Sequence, residues 1–184
     1  MTVDLQGDAA ADDIALIERW QRGDERAATL LVERHAQPLA RFISSLGARH
    51  AAKEVVQDTF VRAFASLDRF RADSSLRTWL FTIARNLVRD RMRARRALRS
   101  VVEVEEEHAA TEHDALDEMV AGETASRLRG AVAHLTPTQR EVFTLRVSEG
   151  LLYKEIAAIV GSTEGAARVH YFNAVRTVKE FLND

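Results

Sequence analysis

An all-α fold of two small helical domains joined by an acidic linker is predicted by three features of the chain. Only two prolines and eight glycines interrupt 184 residues rich in Ala, Leu, Arg and Glu, a composition that favours helix. Apolar residues recur at three- and four-residue spacing, and no segment alternates convincingly as a strand would. Between residues 98 and 122 the periodicity vanishes and acidic residues take over, which reads as a flexible tether. The expected domains are therefore 12–97 and 123–184.

Asp12 or Asp13 caps a first helix carrying Ile14, Leu16, Ile17 and Trp20, which stops at Gly23. Asp24 caps a longer helix with Ala27, Leu30, Leu31, Leu39, Phe42, Ile43 and Leu46, ending at Gly47. Pro38 lies inside it and predicts a kink or one loosened turn, since proline has no N–H to donate. A third helix, from about His50 to Ser66, places Val55, Val56, Phe60 and Phe64 at helical spacing. The stretch from Leu67 to Ser75 breaks the period and reads as an ordered loop. Ser74 or Ser75 then caps a fourth helix with Leu76, Trp79, Leu80, Ile83 and Leu87, which runs into a cluster of arginines.

Beyond the tether a helix begins near Glu123 and ends around Leu135. Thr136-Pro137-Thr138-Gln139 is a strong start signal, with threonine as N-cap, proline at the first helical position and glutamine closing a capping box. The helix it opens carries Val142, Phe143, Leu145 and Val147 and ends at Gly150. Leu152 to Val160 forms a short helix stopped by Gly161. Ser162 or Thr163 caps the last helix, whose apolar seam is Ala167, Tyr171, Ala174, Val178 and Phe181.

The net charge of −2 conceals an uneven distribution. Residues 1–84 carry 11 basic and 12 acidic side chains, whereas Arg85 to Arg99 carries seven arginines against Asp90 alone. Glu103 to Glu118 then carries eight acids and no Lys or Arg. With 46% apolar and 29% charged residues the chain is of the globular class. No segment approaches the roughly 20 apolar residues that cross a bilayer. The acidic start from Met1 to Asp13 lacks the basic region of a secretory signal, so the cytoplasm is expected. Without cysteine there is neither a disulfide framework nor a thiolate metal site.

The last two helices have helix-turn-helix grammar, with small Ala157 at the crossing and a glycine turn between them. That arrangement exposes the N-terminal half of the final helix to a major groove, and Glu164, Arg168, Phe172, Asn173 and Arg176 point outward. An ordinary helical hairpin fits the same pattern. The cluster Arg85, Arg89, Arg91, Arg93, Arg95, Arg96 and Arg99 suits phosphates, or else complements a helix C-terminus and the acids that follow. Phe64, Phe70 and Trp79 flank the 67–75 loop beside arginines, as stacking platforms for single-stranded DNA do. Helical spacing assigns Trp79 to the core and leaves Phe64 and Phe70 open to either role. The six histidines form no ligand set, His108 and His113 being at most a weak metal pair, and no catalytic constellation, cofactor site or small-molecule substrate site is expected.

Two separated segments resemble the extracytoplasmic-function, or group IV, sigma factors of the sigma-70 family. The first runs from Glu54-Val55-Val56-Gln57-Asp58-Thr59-Phe60 through Leu67-Asp68-Arg69-Phe70 to Arg77-Thr78-Trp79-Leu80 and Arg85-Asn86, and is similar to region 2. The second, Leu135 to Phe143 followed by Gly150-Leu151-Leu152-Tyr153-Lys154-Glu155-Ile156-Ala157, is similar to region 4. The resemblance implies a promoter-specificity factor that binds core RNA polymerase and recognises minus-10 and minus-35 elements; the competing reading is a polymerase-independent helix-turn-helix regulator. It implies that Val56, Gln57, Asp58 and Phe60 dock on the polymerase β′ clamp. Arg62, Phe64, Phe70, Arg77, Asn86, Arg89 and Arg93 are implied to hold melted minus-10 DNA, with a flipped base in a pocket where Asn86 both donates and accepts. Thr163, Glu164, Arg168, Phe172 and Arg176 are implied to read minus-35 while the domain holds the β flap. An anti-sigma factor is an implied partner. The chain departs from the family at His170, Asn173 and Val175, where basic residues are usual, and Glu164 adds a carboxylate that repels phosphate, so weak or unusual minus-35 recognition is expected. The acidic linker either mimics nucleic-acid charge in the polymerase cleft or serves as a solubilising tether.

Overall fold

The computed structural model describes residues 5–70, 74–101 and 123–183. Among these, all regular structure is helical. The N-terminal domain contains α1 (Leu5–Gln21), α2 (Glu25–Ser45), α3 (Ala52–Ala65) and α4 (Leu76–Val101). The C-terminal domain contains α5 (Glu123–Ala133), α6 (Pro137–Val147), α7 (Tyr153–Val160) and α8 (Glu164–Asn183). Most of the acidic linker lies outside the described residues, and its two expected roles are not addressed by them.

Several helix ends follow the expected chemistry. Asp24 caps α2, its Oδ1 accepting from the Arg26 N–H at 3.1 Å. Arg19 donates to Asp24 Oδ2 through Nε and Nη2 at 3.0 and 2.8 Å, and that bond holds the carboxyl below its ordinary value. Ser75 is the cap of α4, accepting from the Thr78 N–H at 3.2 Å. The capping box of α6 is complete, with Thr136 Oγ1 accepting from the Gln139 N–H and Gln139 Oε1 from the Thr136 N–H. Gly161 adopts φ +66° in the turn between α7 and α8, a conformation most side chains resist.

Two helix boundaries differ notably from the sequence reading. Helix α1 starts at Leu5, so Asp12 and Asp13 lie inside it instead of capping it. The preceding Ala9-Ala10-Ala11 run extends the helix, alanine having the highest helix propensity. Asp13 is thereby turned inward, where its Oδ2 meets His35 Nε2 at 2.9 Å and its Oδ1 accepts from Arg34 Nη1 at 2.7 Å. Helix α4 continues to Val101, past the expected boundary at 97, because no glycine or proline stops it. Helix α2 spans Glu25–Ser45 with Pro38 inside it, at the cost of one backbone bond.

The N-terminal core is built around Phe42 and Phe81, packed edge to face with centroids 5.1 Å apart. Leu31, Leu39, Ile43, Val55, Leu80 and Val88 fill the space around them. Truncating either phenylalanine to alanine would cost about 3–5 kcal/mol. Val142, Leu145, Leu151, Ile156 and Ile159 of the C-terminal domain belong to the same continuous core. Helix α7 lies against α4 and α6 against α2, so the two domains are docked. A smaller cluster of Ala131, Leu135, Ala174 and Val178 holds α5 to α8.

Candidate nucleic-acid interface

Helix α4 has one apolar side and one arginine side, and the fold separates the two. Leu76, Leu80, Ala84 and Leu87 turn inward, while Asn86, Arg89, Arg93, Arg95 and Arg96 are exposed. The seven arginines do not act alike. Arg85 is buried, Arg91 pairs with Glu54 and with Asp58 at 3.3 and 2.8 Å, and Arg93 pairs with Asp90. Arg89, Arg95 and Arg96 stand in solvent with no carboxylate paired to them among the described residues. An unneutralised cationic ridge next to an exposed asparagine suits a strand of nucleic acid.

Helix α3 presents Gln57 and Arg62 to solvent, with Val56 and Asp58 half-buried. Phe60, expected with these to contact the polymerase, is 7% exposed and packs inside the core, where Ala63, one turn on, shares its buried face. The aromatic platform is also partly spent. Phe64 lies against Trp20 at 5.1 Å and Phe60 at 6.0 Å, and Phe70 against Trp79 at 5.2 Å. One face of each ring is therefore taken by another ring, and Trp79 is half-buried at the margin of the core. Of the loop itself, residues 71–73 lie outside the described residues.

Helices α7 and α8 form the expected helix-turn-helix. Thr163 caps α8, accepting from the Ala166 N–H at 3.1 Å. Ala157 and Ala167 are buried at the crossing, which brings the two helices close. The opposite face of α8 carries Glu164, Arg168, Val169, Phe172 and Arg176. Two of its cations are engaged locally: Arg168 donates to Glu164 at 2.5 Å and lies over the Tyr153 ring at 4.9 Å, and Arg176 sits 3.9 Å from Glu180. Phe172 and Val169 are 68% and 59% exposed, so two bare apolar side chains occupy the middle of this face. Sequence reasoning missed Val169, which no seam or cap signal marks.

Sequence reasoning also missed the contacts that dock the domains. Glu149, in the turn after α6, has a fully buried side chain. Its Oε1 accepts from Arg41 Nε at 3.1 Å, and its Oε2 accepts from Arg41 Nη2 at 3.3 Å and Arg77 Nη2 at 2.7 Å. Glu141 Oε2 accepts from Arg85 Nε at 2.8 Å, both residues being buried. Glu155 Oε1 accepts from the hydroxyls of Thr78 and Ser75 at 3.1 and 3.3 Å, while its Oε2 accepts from the Leu152 N–H and caps α7. Arg77, expected to face melted DNA, is covered in this docked state. Burying a carboxylate costs several kcal/mol, and these charged partners are what offset it.

Among the described residues no group of His, Cys, Asp or Glu is placed to hold a metal ion, and no helix is long and apolar enough to cross a membrane. Residues 31–98 match the family model of sigma-70 region 2, and residues 125–178 match that of sigma-70 region 4. The chain is 34% identical over 171 residues to the ECF RNA polymerase sigma-E factor of Escherichia coli, covering 88% of this chain and 90% of the relative. The sigma-E factor of Haemophilus influenzae is 31% identical over the same shares. Among solved structures, CnrH in complex with the cytosolic domain of CnrY is similar with a TM-score of 0.70 at 28% identity, over 94% of this chain and 97% of that one. The sigma factor RpoE of Bartonella quintana, in complex with the anti-sigma factor NepR, is similar with a TM-score of 0.66 at 28% identity, over 84% and 96%.

Proposed function

The chain belongs to the extracytoplasmic-function sigma factors of the sigma-70 family, and from that premise we propose how its two domains divide promoter recognition. It is a sigma factor, a non-catalytic regulator that gives RNA polymerase its promoter specificity. The observation that carries this reading is the presence of both sigma-70 regions, in order, across 31–98 and 125–178.

In the proposed division, the α3 surface around Val56, Gln57 and Asp58 docks on the polymerase β′ clamp. The α4 ridge of Asn86, Arg89 and Arg93, with Arg62, Phe64, Phe70 and Arg77, takes the melted minus-10 strand. Extruding a base costs a few kcal/mol of stacking, which hydrogen bonds from an amide such as Asn86 offset. The C-terminal domain holds the β flap and lays α8 on minus-35 DNA, with Thr163, Glu164, Arg168, Phe172 and Arg176 outward. With Arg168 tied to Glu164 and two apolar side chains exposed, this face suits thymine methyl groups better than a run of guanines. An anti-sigma factor is a proposed partner, since the similar RpoE structure holds one. The cytoplasm, where the polymerase works, is the proposed location.

The test is reconstitution. Core polymerase supplied with the purified full chain should initiate at a discrete set of promoters, mapped by sequencing transcript starts, and should not initiate there alone. A chain that binds duplex palindromes as a dimer and leaves polymerase unaffected would instead be a self-sufficient regulator.

A further inference from the structure

We propose that Arg41 and Arg77 form a binding site for a backbone phosphate of promoter DNA, which Glu149 fills as an internal substitute while the domains are docked. This rests on the promoter-recognition role above and adds a site and a competitor to it. Both arginines belong to the N-terminal domain, on α2 and α4, whereas Glu149 belongs to the other domain. The anion is therefore removable as a unit when the domains part, leaving the clamp behind.

The geometry is that of an oxyanion clamp. Arg41 addresses both carboxylate oxygens through Nε and Nη2, and Arg77 adds a third donor to Oε2. A phosphodiester offers two charged oxygens to the same guanidinium forks. The clamp does not depend on Glu149 for its shape at Arg77, whose guanidinium lies over the Phe81 ring at 5.7 Å. Once Glu149 leaves, two guanidiniums that shared one oxygen face each other without a counterion, so the empty site favours another anion. Arg41 is already 47% exposed, which gives that anion a way in.

A nucleic-acid strand fits better than an isolated anion because the covered surface continues. Glu155 lies on the Ser75 and Thr78 hydroxyls, and Glu141 on Arg85, so the C-terminal domain sets three carboxylates along α4. The same helix then runs on into exposed Arg89 and Arg96. Carboxylates spaced along a basic helix occupy the positions that successive phosphates of one strand would take. Docking and strand binding thus exclude each other at this strip.

The test uses the full chain and a fluorescent single-stranded oligonucleotide of about 12 nucleotides, within the range of single-strand site sizes. Glu149→Gln should bind it about tenfold more tightly than the unaltered chain, by anisotropy at fixed salt, because the competitor is weakened. Adding Arg41→Gln should remove that gain. The chain has no cysteine, so dyes can be placed at Lys53→Cys and Lys179→Cys, one in each domain. Oligonucleotide added to the dye-labelled chain with Glu149 intact should lower energy transfer as the domains separate, a readout independent of whether the Gln variant folds well. Binding without separation would overturn the proposal, as would an Arg41-dependent gain for polyglutamate that DNA does not share. If Glu149→Gln gains nothing while the unaltered chain directs polymerase to promoters, the clamp proposal alone falls. If the unaltered chain directs no initiation, the role beneath it falls as well.

Discussion

Removing one partner of the Arg85–Glu141 pair tests whether docking is a structural commitment or a loose contact. The side chains are 8% and 11% exposed and meet at 2.8 Å, so neither charge has ready access to water. Arg85→Met strands the Glu141 carboxylate, and stranding a buried charge costs about 3–5 kcal/mol. The chain has one escape, which is to open the interface and hydrate Glu141. The observed cost is therefore capped by the free energy of docking. Arg85→Met with Glu141→Leu removes both charges and should come close to neutral, so the cycle should return a coupling close to the summed cost of the two single variants. Urea unfolding read by two probes separates the routes. Tryptophan fluorescence reports the N-terminal domain alone, since Trp20 and Trp79 both lie there, while far-ultraviolet circular dichroism reports all helices. In the unaltered chain the two transitions should coincide, and in Arg85→Met they should split as the domains uncouple. Single variants that each cost under about 0.5 kcal/mol and simply add would refute the argument, because a desolvated pair cannot be broken so cheaply.

Two further outcomes bear on the binding surfaces. Asn86→Ala should lose preference for the minus-10 sequence in start-site mapping while retaining affinity for core polymerase, since the residue is exposed on α4 and the proposed clamp contacts lie on α3. Replacing Arg89, Arg95 and Arg96 together by glutamine should lower the slope of log affinity against log salt by about 2 for a single-stranded promoter oligonucleotide, three phosphate contacts being lost.

Much of the helical content was legible in the chain. Caps such as Asp24, Ser75 and Thr136 act within a few residues, so their chemistry is readable as a local pattern. The helix-turn-helix was equally local, a short helix, a glycine in the left-handed region and a seam of alanines. What misled was phase and context. Phe60 shares a spacing with exposed neighbours yet turns into the core, and Asp13 looks like a cap until the alanines before it extend the helix. The arginine cluster read as one patch, but Arg85 and Arg91 are drawn away by carboxylates that lie 56 and 33 residues distant in sequence.

The sequence by itself determined the helices, most of their caps, the two-domain division and the family, because each of these depends on short-range periodicity or on motif order. Only the tertiary structure decided how the domains meet. Nothing local to Ser148-Glu149-Gly150 distinguishes a surface turn from a buried anion, since the guanidiniums that make burial tolerable come from Arg41 and Arg77, 108 and 72 residues away. Long-range charge pairing of that kind is a property of the packed chain, and it is what turns an exposed-looking glutamate into the contact that docks the two domains.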